Sequence, residues 1–426
     1  MPKKISIVLV LAFALAVSSA AVAEITNRDL QLMGGVLASS SVESFFFAPL
    51  EDGIPRRWGI FAMSKAGSGP IAEINGVPAR FVYADQQNVY YLGYTNEDRT
   101  VHALYQASTS GGSPQTLLSG IADAFVEEND VFFYVSEEDP YTLRRYSIRD
   151  KKASPVKDMS ASNKKITDAV VAGGELYFLT QAANGTEDGY KLNKSSNKAT
   201  NLDKPNPGAP FSILYDKYRV YATDSAGTNV YAMPIEGKRA LQVGAGRYNM
   251  GLTNPRFGGY VYTYDADTHQ VVGCALDGSD NVSLTLEGDT LSMLILGGSP
   301  SELLFYNYGG IYATTGSLGS ANRLFDFDNT MGGLIWNYIV PAANNHVIVM
   351  GYTAETMTHR DSMPPTAIFV FTRAGELVFS HPEFDPNAVP QTPGEATMPA
   401  ELGQVPHVEA GGEGDDDDED DSFFVF

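Results

Sequence analysis

The chain is poor in the features that most often betray a function. It holds one cysteine, Cys274, among 426 residues, so no internal disulfide framework supports it. Set between Gly273 and Ala275, that thiol reads as a small buried hydrophobe rather than a reactive group. Cations are scarce: 29 Lys and Arg stand against 51 Asp and Glu, a net charge of -22. That balance keeps the chain soluble and disfavours nucleic acid and anionic lipid as partners, while suiting cationic ligands, divalent ions or basic protein patches. Past residue 17 no apolar run is long enough to span a bilayer. Enzyme motifs are missing as well, with no Gly-x-Ser-x-Gly elbow, no His-Glu-x-x-His and no phosphate-binding glycine loop. His102, His269, His346, His359, His381 and His407 are scattered without metal-ligand spacing. No metal and no cofactor is therefore expected.

The N-terminus carries the chain's one strongly apolar stretch. Lys3 and Lys4 precede an apolar core from Ile5 to Val17, and Ala21-Val-Ala23 offers small residues for cleavage. This is the layout of a secretory signal over residues 1–23. A membrane anchor is the alternative, but the run is short for one. No cysteine sits at the junction, which argues against a lipoprotein. The expectation is export to a periplasm or to the cell exterior, with no integral membrane segment once the signal is removed.

What is present in quantity is a repeat. Phe45–Phe47, Val89–Tyr91, Val131–Phe133, Glu175–Tyr177, Arg219–Tyr221, Tyr260–Tyr262, Leu303–Phe305 and Val347–Val349 are eight aromatic or aliphatic triplets. Their starts are 44, 42, 44, 44, 41, 43 and 44 residues apart. A second series follows in step, including Ile60–Met63, Val230–Met233 and Ile368–Phe371. In the stretch from Pro210 to Gly244 the unit resolves into four short strands separated by Asp, Asn and Gly turns. A unit of about 40–45 residues with four strands has the size of one propeller blade. One such sheet cannot bury both faces, whereas blades set around an axis bury them against each other. The expected fold is all-β, a β-propeller of about eight four-stranded repeats over residues 24–381, with seven blades as the runner-up.

Asn75-Gly76, Asn184-Gly185, Asp188-Gly189 and Asp277-Gly278 read as tight turns. Asp277–Asp280 and Asp326–Asp328 lack the ligand spacing of a calcium loop and are also taken as turns.

The sequence of an aromatic strand, a short polar turn, a strand such as Val230–Met233 and a Gly/Asp ending resembles propellers related to the low-density-lipoprotein-receptor type. Leu276-Asp-Gly-Ser279 matches their third-strand ending best. Their YWTD tetrapeptide is absent, and Tyr221-Ala-Thr-Asp224 is the nearest approach to it. The resemblance covers about residues 30–381 and implies the fold, carrying over no functional residue. With only Trp58 and Trp336, the repeated tryptophans of quinone-dependent propeller enzymes are also absent.

Two connections between second and third strands stand out as long: Pro49 to Trp58 in repeat one and Thr353 to Thr366 in repeat eight. Ring closure would bring them together on one rim. Arg56, Arg57, Trp58, His359 and Arg360, with Met357 and Met363, would then form a cationic, aromatic patch suited to a partner. Residues 382–412 read as a Pro-, Glu- and Gly-rich linker. Residues 413–421 hold eight acids in nine positions, and Ser422-Phe-Phe-Val-Phe426 follows. Charge repulsion predicts that the tail, 413–426, is disordered. An acidic run ending in aromatics resembles the docking tails of single-stranded-DNA-binding proteins, which makes Phe423, Phe424 and Phe426 candidates for recognition by a protein partner. A sorting signal and a strand added to a partner's sheet are the competing readings of the tail. The function expected is a binding scaffold. The alternative is a secreted carbohydrate-active hydrolase or lyase with its site on the axial face, built from acids and arginines of different blades.

Overall fold

The computed structural model describes residues 35–51, 57–127, 130–135, 142–156, 165–172, 175–181, 187–202, 212–222, 229–245, 256–257, 260–265, 270–285, 294–299, 302–307, 310–315, 320–326, 335–342, 346–353, 356–372 and 376–381. The expected signal, residues 1–23, and the tail with Phe423, Phe424 and Phe426 lie outside them.

Seven antiparallel sheets account for nearly all of these residues, each paired in chain order. Six have four strands, and the other has seven, running from Pro78–Ala84 to Lys152–Pro155. Its central strand, Gln115–Glu127, is 13 residues long and does two jobs. Up to Ile121 it pairs with His102–Ser108, and from Ile121 onward it pairs with Asp130–Val135. At the bend sits Gly120, whose φ of 68° is a conformation glycine adopts without a Cβ clash. Divided there, the sheets form eight four-stranded units, and all eight sequence triplets fall in the second strand of a unit.

That second strand explains the aromatic triplets. Ser44–Pro49 is buried at every position, and Asn88–Tyr94 and Glu175–Gln181 are buried at five consecutive positions. A strand in the middle of a sheet that is covered on both faces reads as a continuous apolar run, not as an alternation. Outer strands read differently: Lys152–Pro155 and Lys198–Asn201 are mostly exposed.

The units sit side by side through their first strands. Leu37–Ser39 adjoins Pro78–Ala84, which adjoins the second half of Gln115–Glu127. Lys165–Ala172 adjoins Ser212–Tyr215, and Leu294–Ser299 lies between Arg256–Phe257 and Ile335–Ala342. Inner strands in this relation are those of a propeller around its axis. The last unit packs on the first. Tyr352 and Met363 belong to the same buried cluster as Phe47, Trp58 and Phe81, and Phe379 of the final strand meets Phe46 and Phe61 at 5.6 and 5.4 Å between ring centroids. The protein is all-β, with propeller architecture.

The turn expectations divide. Gly76 and Gly278 have φ of 84° and 69°, and Asp277 Oδ1 accepts the Ser279 N–H at 2.9 Å. That makes 277–280 an Asx-type turn. Asp188-Gly189, by contrast, lies inside the strand Glu187–Asn193. A Cβ on Gly189 would meet Leu202 at 3.3 Å, so this glycine gives room for packing and turns nothing. Asn184-Gly185 lies outside the described residues. Cys274 is half-buried against the cluster of Val243 and Val261, and burial raises its thiol pKa.

Candidate functional site

Two regions qualify, the seam between units eight and one, and the inner strands at the junction of units two and three.

At the seam the described ends of the two long loops, Trp58 on one and Met357 and Met363 on the other, pack on one buried cluster, and residues 52–56 and 354–355 lie outside the described residues. The loop of unit eight folds as a 3-10 segment, Thr356–Ser362, and its ends are joined through Thr353, Thr356 and Thr366. Thr356 and Thr366 are buried, with their hydroxyls 2.5 Å apart. Met363 is buried, and its carbonyl accepts the Tyr352 hydroxyl at 3.0 Å. Trp58 is 0% exposed and packs in the same cluster. The apolar members of the expected patch therefore point inward and seal the ring. Trp58 Nε1 has no hydrogen-bond partner among the described residues.

The charged members divide differently. Arg57 is exposed, with Nε donating to Glu51 at 2.8 Å and Nη1 to Glu73 at 3.5 Å. The Glu51 carboxylate raises the guanidinium pKa further. His359 is half-exposed on the 3-10 segment. Arg360 follows it in the backbone, and Arg56 lies outside the described residues.

The second region was not legible as a motif. Arg80, on the inner strand Pro78–Ala84, donates from Nη2 to Asp123 Oδ1 at 2.5 Å, across to the inner half of Gln115–Glu127. Asp123 Oδ1 also accepts the Ala124 N–H at 2.7 Å. His102 begins the third strand of unit two, half-buried, with its ring 4.9 Å from that of Tyr94. Arg99 lies over Tyr94 at 5.9 Å. Burial lowers the His102 pKa, and Asp123 and the backbone at Ala122 and Ile121 oppose that shift only in part, so the fold favours the neutral imidazole. Its buried Nδ1 has no hydrogen-bond partner among the described residues.

The next inner strand repeats the arrangement. Asp168 Oδ1 accepts the Ala169 N–H at 2.9 Å, and Oδ2 accepts the N–H of Leu214, in the following unit, at 2.6 Å. Both aspartates follow an irregularity in strand register, between Ile121 and Asp123 and between Ile166 and Asp168. A bulge re-aims the side chain that follows it. Here it turns a carboxylate toward the neighbouring unit. The recurrence of Ile121-Ala-Asp-Ala124 as Ile166-Thr-Asp-Ala169 was the one available signal.

Further ion pairs tie adjoining units or strands. Arg219 of unit five, 4% exposed in its side chain, pairs with Glu187 of unit four. Arg145 grips Asp130 with two nitrogens, at 2.9 and 2.7 Å, and reaches the Lys194 carbonyl of unit four. Among the described residues no group of three His, Cys, Asp or Glu side chains could hold a metal ion.

No family model matches the chain, and no curated protein matches it. Solved structures resemble it in fold. An uncharacterized protein of Listeria monocytogenes EGD-e superposes with a TM-score of 0.46 at 9% identity, covering 72% of this chain and 95% of its own. The β-propeller domain of the Trilobed protease from Pyrococcus furiosus, with an open velcro topology, gives 0.39 at 8% identity over 67% of this chain and 91% of its own. An oligogalacturonate lyase from Vibrio parahaemolyticus gives 0.38 at 10% identity over 67% and 86%. At these values no residue role transfers, and the architecture rests on the sheets and their inner-strand contacts described above.

Proposed function

We propose that the chain is an exported, eight-bladed propeller, related to the low-density-lipoprotein-receptor-like group, that serves as a protein- or ligand-binding scaffold in a bacterial envelope or outside the cell. Residues 1–23 act as the export signal, 24–381 as the propeller and 382–412 as a linker. Residues 413–426 form an acidic tail whose Phe423, Phe424 and Phe426 are read by a partner.

One observation carries the scaffold reading. Acids and arginines of neighbouring units close on one another or on backbone N–H groups, as at Arg80–Asp123, Asp168–Leu214 and Arg219–Glu187. Charges used in this way stiffen a platform. The test compares the mature protein with a version ending at Gly412 in pull-downs from envelope and culture-fluid extracts, followed by reconstitution with the purified partner. Affinity lost with the tail supports recognition through residues 413–426. Affinity kept without the tail directs attention to Arg57 and His359 on the rim. No partner from either preparation counts against the scaffold.

A second reading has one observation in its favour. Arg80, His102 and Asp123 join an arginine, an imidazole and a carboxylate from two units, as a carbohydrate-active site on the axial face would require. Turnover of a glycan by the wild-type protein, lost in His102→Ala with the fold intact, would favour it over the scaffold.

A further inference from the structure

The few cations of this acidic chain are unevenly placed. Twelve of its 29 Lys and Arg fall between residues 144 and 204, a stretch with seven acids. The fold gathers part of this charge at one end of three successive units. In every antiparallel unit the turn from third to fourth strand lies at the same end of the sheet. In unit three that turn joins Arg144–Ser147 to Lys152–Pro155 and exposes Arg149, Lys151 and Lys152. In unit four it joins Glu187–Asn193 to Lys198–Asn201, presenting Lys194 and an exposed Lys198. In unit five it joins Asn229–Pro234 to Leu241–Ala245 and exposes Lys238 and Arg239. The equivalent turn of unit two, residues 109–114, has no charge, and that of unit six carries Asp277 and Asp280.

The three basic turns are held beside one another. Asn197 Nδ2 donates to the Pro155 carbonyl at 2.6 Å, and Arg145 Nη1 to the Lys194 carbonyl at 2.5 Å. Lys191 Nζ of unit four and Glu236 of unit five are 2.6 Å apart. Of the acids at this end, Asp150 pairs with Ser147, Asp130 with Arg145, and Glu236 with Lys191 and Tyr177, while Glu175 and an exposed Asp216 lie at the first-to-second-strand turns of units four and five. The three third-to-fourth-strand turns carry seven cations against two acids, so this end is basic on balance.

We propose that this basic arc is the seat of an acidic peptide, and that its occupant is residues 413–421 of the same chain. Charge complementarity selects the occupant, since eight of those nine residues are acidic. Reach permits it. Between His381, on the outer strand of unit eight, and Glu413 lie 31 residues. Extended at about 3.1 Å per residue, such a Pro-rich segment spans up to roughly 100 Å. A folded domain of this size has a radius of gyration of only about 20 Å. Docking there would hold Phe423, Phe424 and Phe426 beside the propeller and make access to them salt-dependent, whether or not an outside partner reads them.

The full chain tests this by zero-length carbodiimide coupling of lysine amines to carboxylates. In about 20 mM salt, cross-links from residues 413–421 should fall on Lys151, Lys152, Lys194, Lys198 or Lys238. They should drop roughly tenfold in about 0.5 M salt, where the screening length shrinks to about 4 Å. Lys65, exposed on the corresponding connection of unit one, is the internal reference. Equal coupling to Lys65, or coupling only between two molecules, overturns the proposal. A labelled peptide of residues 413–426 provides the second measurement, added to the full chain with its own acids in that run changed to Asn and Gln. It should bind about tenfold more weakly after Lys151→Gln, Lys152→Gln, Lys194→Gln and Lys198→Gln, judging by the salt sensitivity of exposed charge contacts. Unchanged binding in that variant refutes the seat.

Discussion

Replacing Trp58 with alanine asks whether the seam between units eight and one is a binding surface or a piece of core. Trp58 has 0% exposure and lies in one cluster with Phe47, Phe81, Tyr352 and Met363, side chains from three units. Truncating it leaves a cavity that three sheets would have to move together to fill. Buried Trp-to-Ala changes cost about 3–5 kcal/mol. Unfolding entropy is about 2.1 cal/mol/K per residue, so for a domain of this length the midpoint should fall by about 5 °C. Trp58→Phe is the sharper comparison. Because Nε1 has no partner among the described residues, phenylalanine abandons no hydrogen bond. It loses only volume, about 1–2 kcal/mol or roughly 2 °C. Melting followed by far-ultraviolet circular dichroism measures both. A Trp58→Ala protein that melts within about 1 °C of wild type, yet loses a partner, would refute the packing argument and restore Trp58 as a surface contact.

Other consequences can be checked on the same preparation. Arg219→Ala strands Glu187 in a setting where the arginine side chain is 4% exposed, and should cost about 3–5 kcal/mol, whereas Arg219→Met with Glu187→Leu should recover most of it in denaturant titrations. Gly278→Ala keeps a φ of 69° that alanine resists, at about 1 kcal/mol, while Gly278→Asn should be nearly neutral; the close contact with Leu241 involves a mobile side-chain end and adds little. His102, whose pKa is lowered in the fold chiefly by burial, binds its proton more weakly folded than unfolded. Its contribution is therefore complete above the unfolded pKa near 6.5 and declines as pH falls below it, and His102→Gln should flatten that part of the stability profile. At the alkaline end, burial pushes Tyr90 up to about 12 and raises Tyr91 and Tyr134 also. Stability should decline from about pH 10 upward, where only the unfolded state releases those protons, and absorbance at the phenolate band should show delayed ionisation in the folded protein.

The sequence by itself determined the repeat, because a strand buried on both faces must be apolar at every position. Phe45–Phe47, Val89–Tyr91 and Val347–Val349 announce such strands without help from neighbours. Turn chemistry was legible where glycine supplies a left-handed φ, at Gly76 and Gly278, and misleading at Gly189, where the missing Cβ makes room for Leu202. Only the tertiary structure decided which way Arg57 and Trp58 face at the seam. An aromatic beside two arginines reads as a surface patch, yet strand alternation sends Trp58 inward while Arg57 stays outside. Only the fold, too, could bring Arg80 to Asp123 and Arg219 to Glu187, pairs 43 and 32 residues apart in the chain. Separations of that size say nothing until the units are set side by side. The same holds for the basic turns of units three to five, since a one-dimensional charge count spreads along the chain what neighbouring blades collect at one end.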